Sequence, residues 1–248
     1  FATAVQPSAR MHNAVSVTQL ARHLCLPVVG ALMLLPGTAS AGPLGVAGEA
    51  GTLGFGVEAD YVITDKLSVR GQLNGYDYDY TTDEDDIEYD GQLELSSYGV
   101  LLDWHPMGGA FRLSLGGYVN NNELSGTASG AGEYDIGDET YTVEPGDSLR
   151  LNTSIELGDG FAPYAGLGWG HSPANQGGIL FSFELGVLMQ GSPSVALDAR
   201  GTVNGGAIDV ATDPTVQAEL RKEEANLEED LKDFELYPVI SLGLGYRF

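Results

Sequence analysis

The chain closes on Ser241-Leu242-Gly243-Leu244-Gly245-Tyr246-Arg247-Phe248, a stretch of strict period two. Leu242, Leu244, Tyr246 and Phe248 share one face, and Ser241, Gly243, Gly245 and Arg247 share the other. Successive side chains of a strand point to opposite faces, so the segment is apolar on one side and small or polar on the other. An apolar face ending on an aromatic suits lipid. In hydrocarbon the only β structure whose backbone groups are all paired is a closed barrel. The segment therefore predicts an all-β protein, an antiparallel transmembrane β-barrel.

The order Ser241-x-Gly243-x-x-Tyr246-x-Phe248 also resembles the C-terminal signal read by barrel-assembly machinery, which makes that machinery an expected partner and the Gram-negative outer membrane the expected location. The other end agrees. Arg22 precedes an apolar run from Leu24 to Leu35, and Ala39-Ser40-Ala41 reads as an A-x-A cleavage site before Gly42. The run is too short to cross a bilayer as a helix, which takes about 20 apolar residues. Residues 1–41 are expected to be an export signal, with 1–10 upstream of the start at Met11, and Cys25 leaves with them. The mature chain, 42–248, is expected to be one domain without thiol or disulfide.

Its charge excludes a class of partner. Residues 1–41 hold Arg10 and Arg22 and no acid, so the mature chain sets 9 bases against 35 acids and will not bind nucleic acid through phosphates. A mean hydropathy of −0.05 with 35 Gly is too polar for a helical membrane protein and fits strands that spend half their residues on a lumen.

Period-2 alternation bounded by turns gives eight strands: Leu44 to Ala50, Leu53 to Ile63, one from Leu67 past Asn74, Gln92 to Trp104, Phe111 to Asn120, one ending in Ala162 to Gly170, Ile179 to Met189, and the terminal strand. Leu53, Phe55, Val57, Ala59 and Tyr61 are expected to share the outer face of the second. Leu149 to Phe161, with Gly158-Asp159-Gly160, reads equally as a bulge, a small hairpin or a loop, leaving the count open by two. Short connections lie near Asp65, Pro106 and Ala174, and long ones at Asp77–Gly91, 121–149 and 191–235. Short periplasmic turns and long outer loops are the habit of such barrels. Parity puts both termini in the periplasm, where Trp104, Phe111, Trp169, Phe181, Tyr246 and Phe248 form half an aromatic girdle.

In the last connection Thr212-Asp213-Pro214 opens a helix over 212–234, with a capping side chain and a proline in the first turn. Val216, Leu220, Leu227, Leu231 and Phe234 make its stripe, and Glu228 is set to pair with Lys232 at i,i+4. The stripe suits either packing on the barrel rim or a lid or partner-docking helix.

Phe161-Ala162-Pro163-Tyr164-Ala165-Gly166-Leu167-Gly168-Trp169-Gly170, Gly191-Ser192-Pro193, the acidic run Arg221-Lys222-Glu223-Glu224-Ala225-Asn226 and Glu235-Leu236-Tyr237-Pro238-Val239-Ile240 together resemble the carbapenem-associated, ornithine-uptake (CarO-type) outer-membrane proteins. The likeness covers roughly the C-terminal 90 residues, and more loosely the chain back to Gly51. It implies an eight-stranded barrel and uptake of ornithine or other basic amino acids.

Alternation projects Glu58, Asp60, Asp103 and Glu184, the bases Arg70, Arg112 and Arg247, and the polar Gln72, Asn74, Ser114, Tyr118, Tyr164 and Gln190 into the lumen. Eight strands enclose a space that side chains just fill. These residues are thus either a plug of ion pairs, since buried charges must be paired, or the wall of a narrow polar path. Asp79, Asp83, Glu84, Asp85 and Asp86 crowd the first long loop among Tyr76, Tyr78, Tyr80 and Tyr89. They read as an acidic vestibule that steers cations, as solvated loop, or as carboxylates bridged through divalent cations to lipopolysaccharide. They lack the ligand spacing of a calcium loop, and no metal or cofactor is implied.

His105 and His171 sit in turns at different strand ends with no serine and carboxylate spaced to join them, so no enzyme is expected. Two functions remain: a narrow uptake channel for small cationic solutes such as basic amino acids, or a closed-lumen structural or adhesive surface protein meeting lipopolysaccharide, divalent cations or host partners. Either is expected to be a monomer in outer-membrane lipid.

Overall fold

The computed structural model describes residues 43–84, 87–158, 160–170, 172–173 and 177–248. The expected export signal, and Asp85, Asp86, Asp159 and His171, lie outside the described residues, as does the side chain of Glu84. Along the chain run β1 (Leu44–Gly51), β2 (Gly54–Thr64), β3 (Leu67–Glu84), β4 (Ile87–Trp104), β5 (Arg112–Asn120), β6 (Glu123–Gly130), β7 (Gly132–Ile136), β8 (Glu139–Val143) and β9 (Ser148–Glu156). Then come β10 (Phe161–Trp169), β11 (Gly178–Met189), β12 (Ser194–Val203), β13 (Ile208–Asp209), the helix α1 (Pro214–Leu231) and β14 (Leu236–Arg247).

Eight of these strands pair antiparallel in a ring, β1 to β2, β3, β4, β5, β10, β11, β14 and back to β1. On β11 the outward apolar side chains run from Ile179 to Met189. Ten steps of about 3.3 Å, tilted about 40°, span about 25 Å, the height of an apolar barrel belt. At the short-turn end Phe111 and Trp169 pack at 5.2 Å, and Tyr246 and Phe248 at 5.5 Å, so the terminal aromatics join a girdle.

Leu53 departs from the reading above. It is buried inside the barrel rather than on its outer face, because Gly54 follows it at φ +96° and restarts the alternation. A Cβ there would also lie 2.8 Å from the Gly75 carbonyl oxygen, so this corner requires glycine.

The larger correction concerns the long connections, which are not loops. β3 and β4, 18 residues each, run as one hairpin well past the belt. Beyond β5, β6 continues along β4, β9 pairs with β6, β12 with β9, and β13 with the end of β12. Five strands thus rise above the ring on one side as a tall sheet, while β14, β1 and β2 stop at the rim. Leu149 to Phe161 is β9, a kink and the start of β10.

Alternation continues through this sheet with its polarity inverted. In the belt Leu73, Val100 and Tyr98 face outward. Above it the apolar residues Ile87, Leu149, Leu151, Ala199 and Val203 lie on the face continuous with the lumen, where Ile136, Tyr141, Val210, Val216 and Leu220 complete a core. Here the outer side carries the polar residues, so burial selects the other face. The β7–β8 hairpin and α1 supply the second layer, a roof over the inner face of this sheet.

The helix starts as expected: the Asp213 carboxylate accepts from the Thr215 and Val216 amides at 2.8 and 3.1 Å, with Pro214 at the first position. Val216, Leu220 and Leu231 are buried, whereas Phe234 lies beyond in a short 3₁₀ turn and is 53% exposed. Lys232 pairs with Glu229, not Glu228. Glu228 instead accepts the Val195 amide at 3.2 Å, and Glu224 accepts that of Leu197 at 2.8 Å. Four helical residues rise about 6 Å and two strand residues about 6.6 Å, so the two carboxylates meet alternate amides and seal the free edge of β12.

Asp147 ties down the far end of the sheet, its carboxylate accepting from the amides of Gly205 at 2.8 Å and Glu144 at 3.3 Å and from the Thr202 hydroxyl at 3.4 Å. Desolvation works to raise its pKa, but the backbone donors, with Thr202, prevail and hold it below the usual Asp value. A depressed folded-state pKa gives stability that is present above the unfolded-state value, about 3.9, and lost as pH falls through the folded one. The Gly205 amide resonance is therefore expected to titrate with a midpoint below about 3.9, and Asp147→Asn to abolish that titration. A midpoint at or above the free value would show the tie is not made.

Candidate functional site

The lumen residues converge as alternation projected, in layers from the short-turn end upward. Lowest, Arg247 pairs with Asp60 and donates to the Ser172 carbonyl at 2.8 Å. At the waist Arg70 reaches Asp103 at 3.0 Å, Glu58 at 3.1 Å and Glu184 at 2.5 Å, and Arg112 reaches Glu184 at 2.5 Å. Ser114 donates to Asp103 at 2.6 Å and Tyr164 to Glu184 at 2.5 Å. Tyr164 fits because the facing positions are Gly166 and Gly186, where a Cβ would stand 2.3 and 2.2 Å from its hydroxyl oxygen.

Above the waist Gln72 donates to Glu49 at 3.0 Å and to Glu58 at 3.2 Å, and accepts from Tyr118. Asn74 donates to Ser97 at 3.4 Å, and Asn120 to Gln190 at 3.2 Å. Leu53, Leu101, Leu188 and Val239 close this level with Tyr118 and Tyr164.

Glu49 is the lumen acid that sequence reading missed. The first strand is mostly Gly and Ala, so its face carried no signal beyond a lone acid two residues before the turn. With Glu49, five carboxylates face three arginines. Arg70, Arg112 and Arg247 are each 1% exposed or less. The lumen cavity, bounded by Glu49, Gln72, Asn74, Tyr118 and Glu184, is about 10 Å³, room for about one water.

Asp79 and Asp83, the vestibule acids among the described side chains, separate from this network. Asp79 and Asp83 leave β3 on its outer face, away from the lumen, and Asp90 of β4 stands beside them. Tyr76 and Tyr78 take the inner face and stack at 6.5 Å with an 8° interplanar angle. These three acids therefore line the outside of the tall sheet and not the mouth of the barrel. There a groove of about 570 Å³ crosses five strands, with Asp79, Asp90, Thr127, Asn152, Ser154 and Asp198 in its wall. Thr81 donates to Asp90 at 2.7 Å, Thr127 to Asn152 at 3.1 Å and Asn152 to Asp198 at 3.4 Å. Polar rungs at every second residue of the outer strands were the available signal for it.

Ser241, Gly243 and Tyr246 lie in β14, whose register runs against β1 and β11 to Arg247, and Phe248 follows it, its amide donating to the Leu44 carbonyl at 3.1 Å. Among the described residues no cluster of His, Cys, Asp and Glu has the arrangement of a metal site.

No protein-family model matches the chain. No curated protein matches it. Among solved structures it is similar to the Acinetobacter baumannii protein CarO2, at 17% identity and a TM-score of 0.54 over 85% of this chain and all of the other. It is similar also to CarO of the same organism, at 19% identity and a TM-score of 0.52 over 83% of this chain and 98% of the other. The chain thus has a CarO-type fold, an antiparallel β-barrel.

Proposed function

We propose that the protein is a closed-lumen barrel of the outer membrane, without enzymatic activity, that works through the extracellular sheet it holds above the lipid. The observation that carries this reading is the fill of the lumen. Side chains of every barrel strand meet in the lumen, where the cavity beside Glu49 and Tyr118 is about 10 Å³, and the apolar core under α1 and β7–β8 packs on the face continuous with it. A path for an amino acid would require the waist ion pairs to part. The working surface is then the outer face of the sheet, where hydroxyls, amides and carboxylates meet water, lipopolysaccharide and its bridging cations just above the belt.

The second reading is a gated path for small cationic solutes. It is favoured by one observation: the plug is made of side chains alone, with five acids against three arginines, so exchange of ion pairs would pass cations ahead of anions. Swelling of proteoliposomes bearing the refolded barrel separates the two. With folding verified by heat-modifiable gel mobility, arginine, ornithine, glutamate and a neutral sugar are expected to enter no faster than into empty liposomes. Faster entry of arginine and ornithine alone would replace the first reading by the second.

A further inference from the structure

The tall sheet has two edges, and they are treated differently. On β12 the amides of Val195 and Leu197 are taken by Glu228 and Glu224 of α1. On β3 the upper edge has no partner among the described residues. β2 pairs with β3 only as far as Phe55 opposite Gly75, while β3 and β4 stay paired to Glu84 opposite Ile87.

The direction of the unpaired groups follows from the register. The His105 amide donates to the Lys66 carbonyl at 2.8 Å, and the pairing from Leu67 opposite Trp104 to Glu84 opposite Ile87 has no shift. In an antiparallel ladder hydrogen-bonded and open positions alternate, so even-numbered residues of β3 bond to β4. Odd-numbered residues bond the other way, to β2 below and to nothing above. The amides and carbonyls of Asp77, Asp79, Thr81 and Asp83 therefore form a free edge of alternate, outward-pointing groups.

The two faces beside that edge differ in chemistry. Asp77, Asp79 and Asp83 stand on one, with Glu88, Asp90 and Glu94 one strand away on β4. Tyr76, Tyr78 and Tyr80 stand on the other, Tyr78 being exposed. A strand added here would have its own side chains alternate between an acidic face and an aromatic one.

We infer that the β3 edge from Tyr76 to Glu84 is a strand-addition site for an extended peptide that alternates basic and apolar residues. Backbone hydrogen bonds supply the register, arginine or lysine meets the carboxylates, and the apolar positions cover the tyrosines. A second copy of this edge is excluded by charge, since its carboxylates would face these. The proposal rests on the surface-acting reading above and names its partner class.

The probe is a capped nine-residue peptide alternating arginine and valine, added to the refolded full chain in nanodiscs. It is expected to bind, and to slow hydrogen exchange at Asp77, Asp79, Thr81 and Asp83 at least tenfold while leaving β12 unchanged. N-methylation of alternate peptide amides, or glutamate for arginine, is expected to weaken binding at least tenfold. In the protein, Thr81→Pro removes one free-edge amide without touching the bonds to β4 and should weaken binding up to about tenfold, as loss of one ladder bond allows. Thr81→Ala should bind within about twofold of wild type.

Equal binding of the N-methylated peptide would overturn strand addition and leave charge adhesion alone. No binding of the parent peptide to a barrel that is also impermeable would overturn this site and leave the closed-lumen reading standing. Permeation of cationic amino acids would instead overturn that reading, whatever the peptide does.

Discussion

Replacing Arg70 by methionine is expected to cost the barrel about 3–5 kcal/mol, the usual effect of removing one partner from a buried ion pair. Arg70 is 1% exposed and is the hub of the waist, within 3.1 Å of Glu58, Asp103 and Glu184. Methionine fills much of the same volume, so the loss reports charge and hydrogen bonds more than a cavity. Arg112 still serves Glu184 at 2.5 Å but lies 3.8 Å from Asp103, and Glu58 keeps only Gln72. The barrel is left with carboxylates in a dry lumen and one cation fewer, an imbalance water cannot reach to screen. Urea titration in lipid vesicles, followed by the fluorescence of Trp104 and Trp169, measures the change. Adding Glu58→Gln to the variant should recover part of the loss, because members of one network are not additive. A shift below about 1 kcal/mol, the level of an exposed pair, would mean the waist is wet, and would revive the path reading.

The same network shows what a sequence of this kind discloses. Glu58, Asp60, Arg70, Asp103, Arg112, Tyr164, Glu184 and Arg247 are all brought into one column by period two alone, because in lipid the apolar face must be the outer one. Glu49 escaped since its strand offers glycine and alanine on both faces. The outer strands escaped for a different reason: alternation in them is as regular as in the belt, but apolar and polar sides are exchanged. Asp77-Tyr78-Asp79-Tyr80 looks like an acidic loop when lipid is assumed outside, and like a strand once water is. Leu149 and Leu151, and Val195, Leu197 and Ala199, carry the same signal. The point of exchange, between Leu73 and Tyr76 on β3, is where the outward apolar belt ends. What alternation cannot give is pairing order: that β12 lies on β9, and that Glu224 and Glu228 seal its edge, depends on contacts far apart in the chain.

Roof and ring are separable units by this construction, and Val216→Asp is the variant that parts them. Val216 is fully buried in the core with Ile136, Tyr141, Val210 and Leu220, whereas the ring closes through β1 and β14 without that core. A carboxylate placed there has no cation in the cluster and costs several kcal/mol if it stays buried, more than the docking of one 18-residue helix can offset, so α1 swings out while the eight paired strands persist. Trypsin should then cut at Arg221, Lys222 and Lys232 at least tenfold faster than in wild type, since cleavage follows the population of the opened form, and heat-modifiable mobility of the barrel should survive. The Val195 and Leu197 amides lose Glu228 and Glu224 in the same event, so their hydrogen exchange should rise with the cleavage. Rapid cutting with loss of the folded gel band would show instead that roof and ring fold as one cooperative unit. Unchanged cutting would show that α1 is held by its polar contacts, Lys222 to Asp138 and the two sealed amides, rather than by the apolar core beneath it.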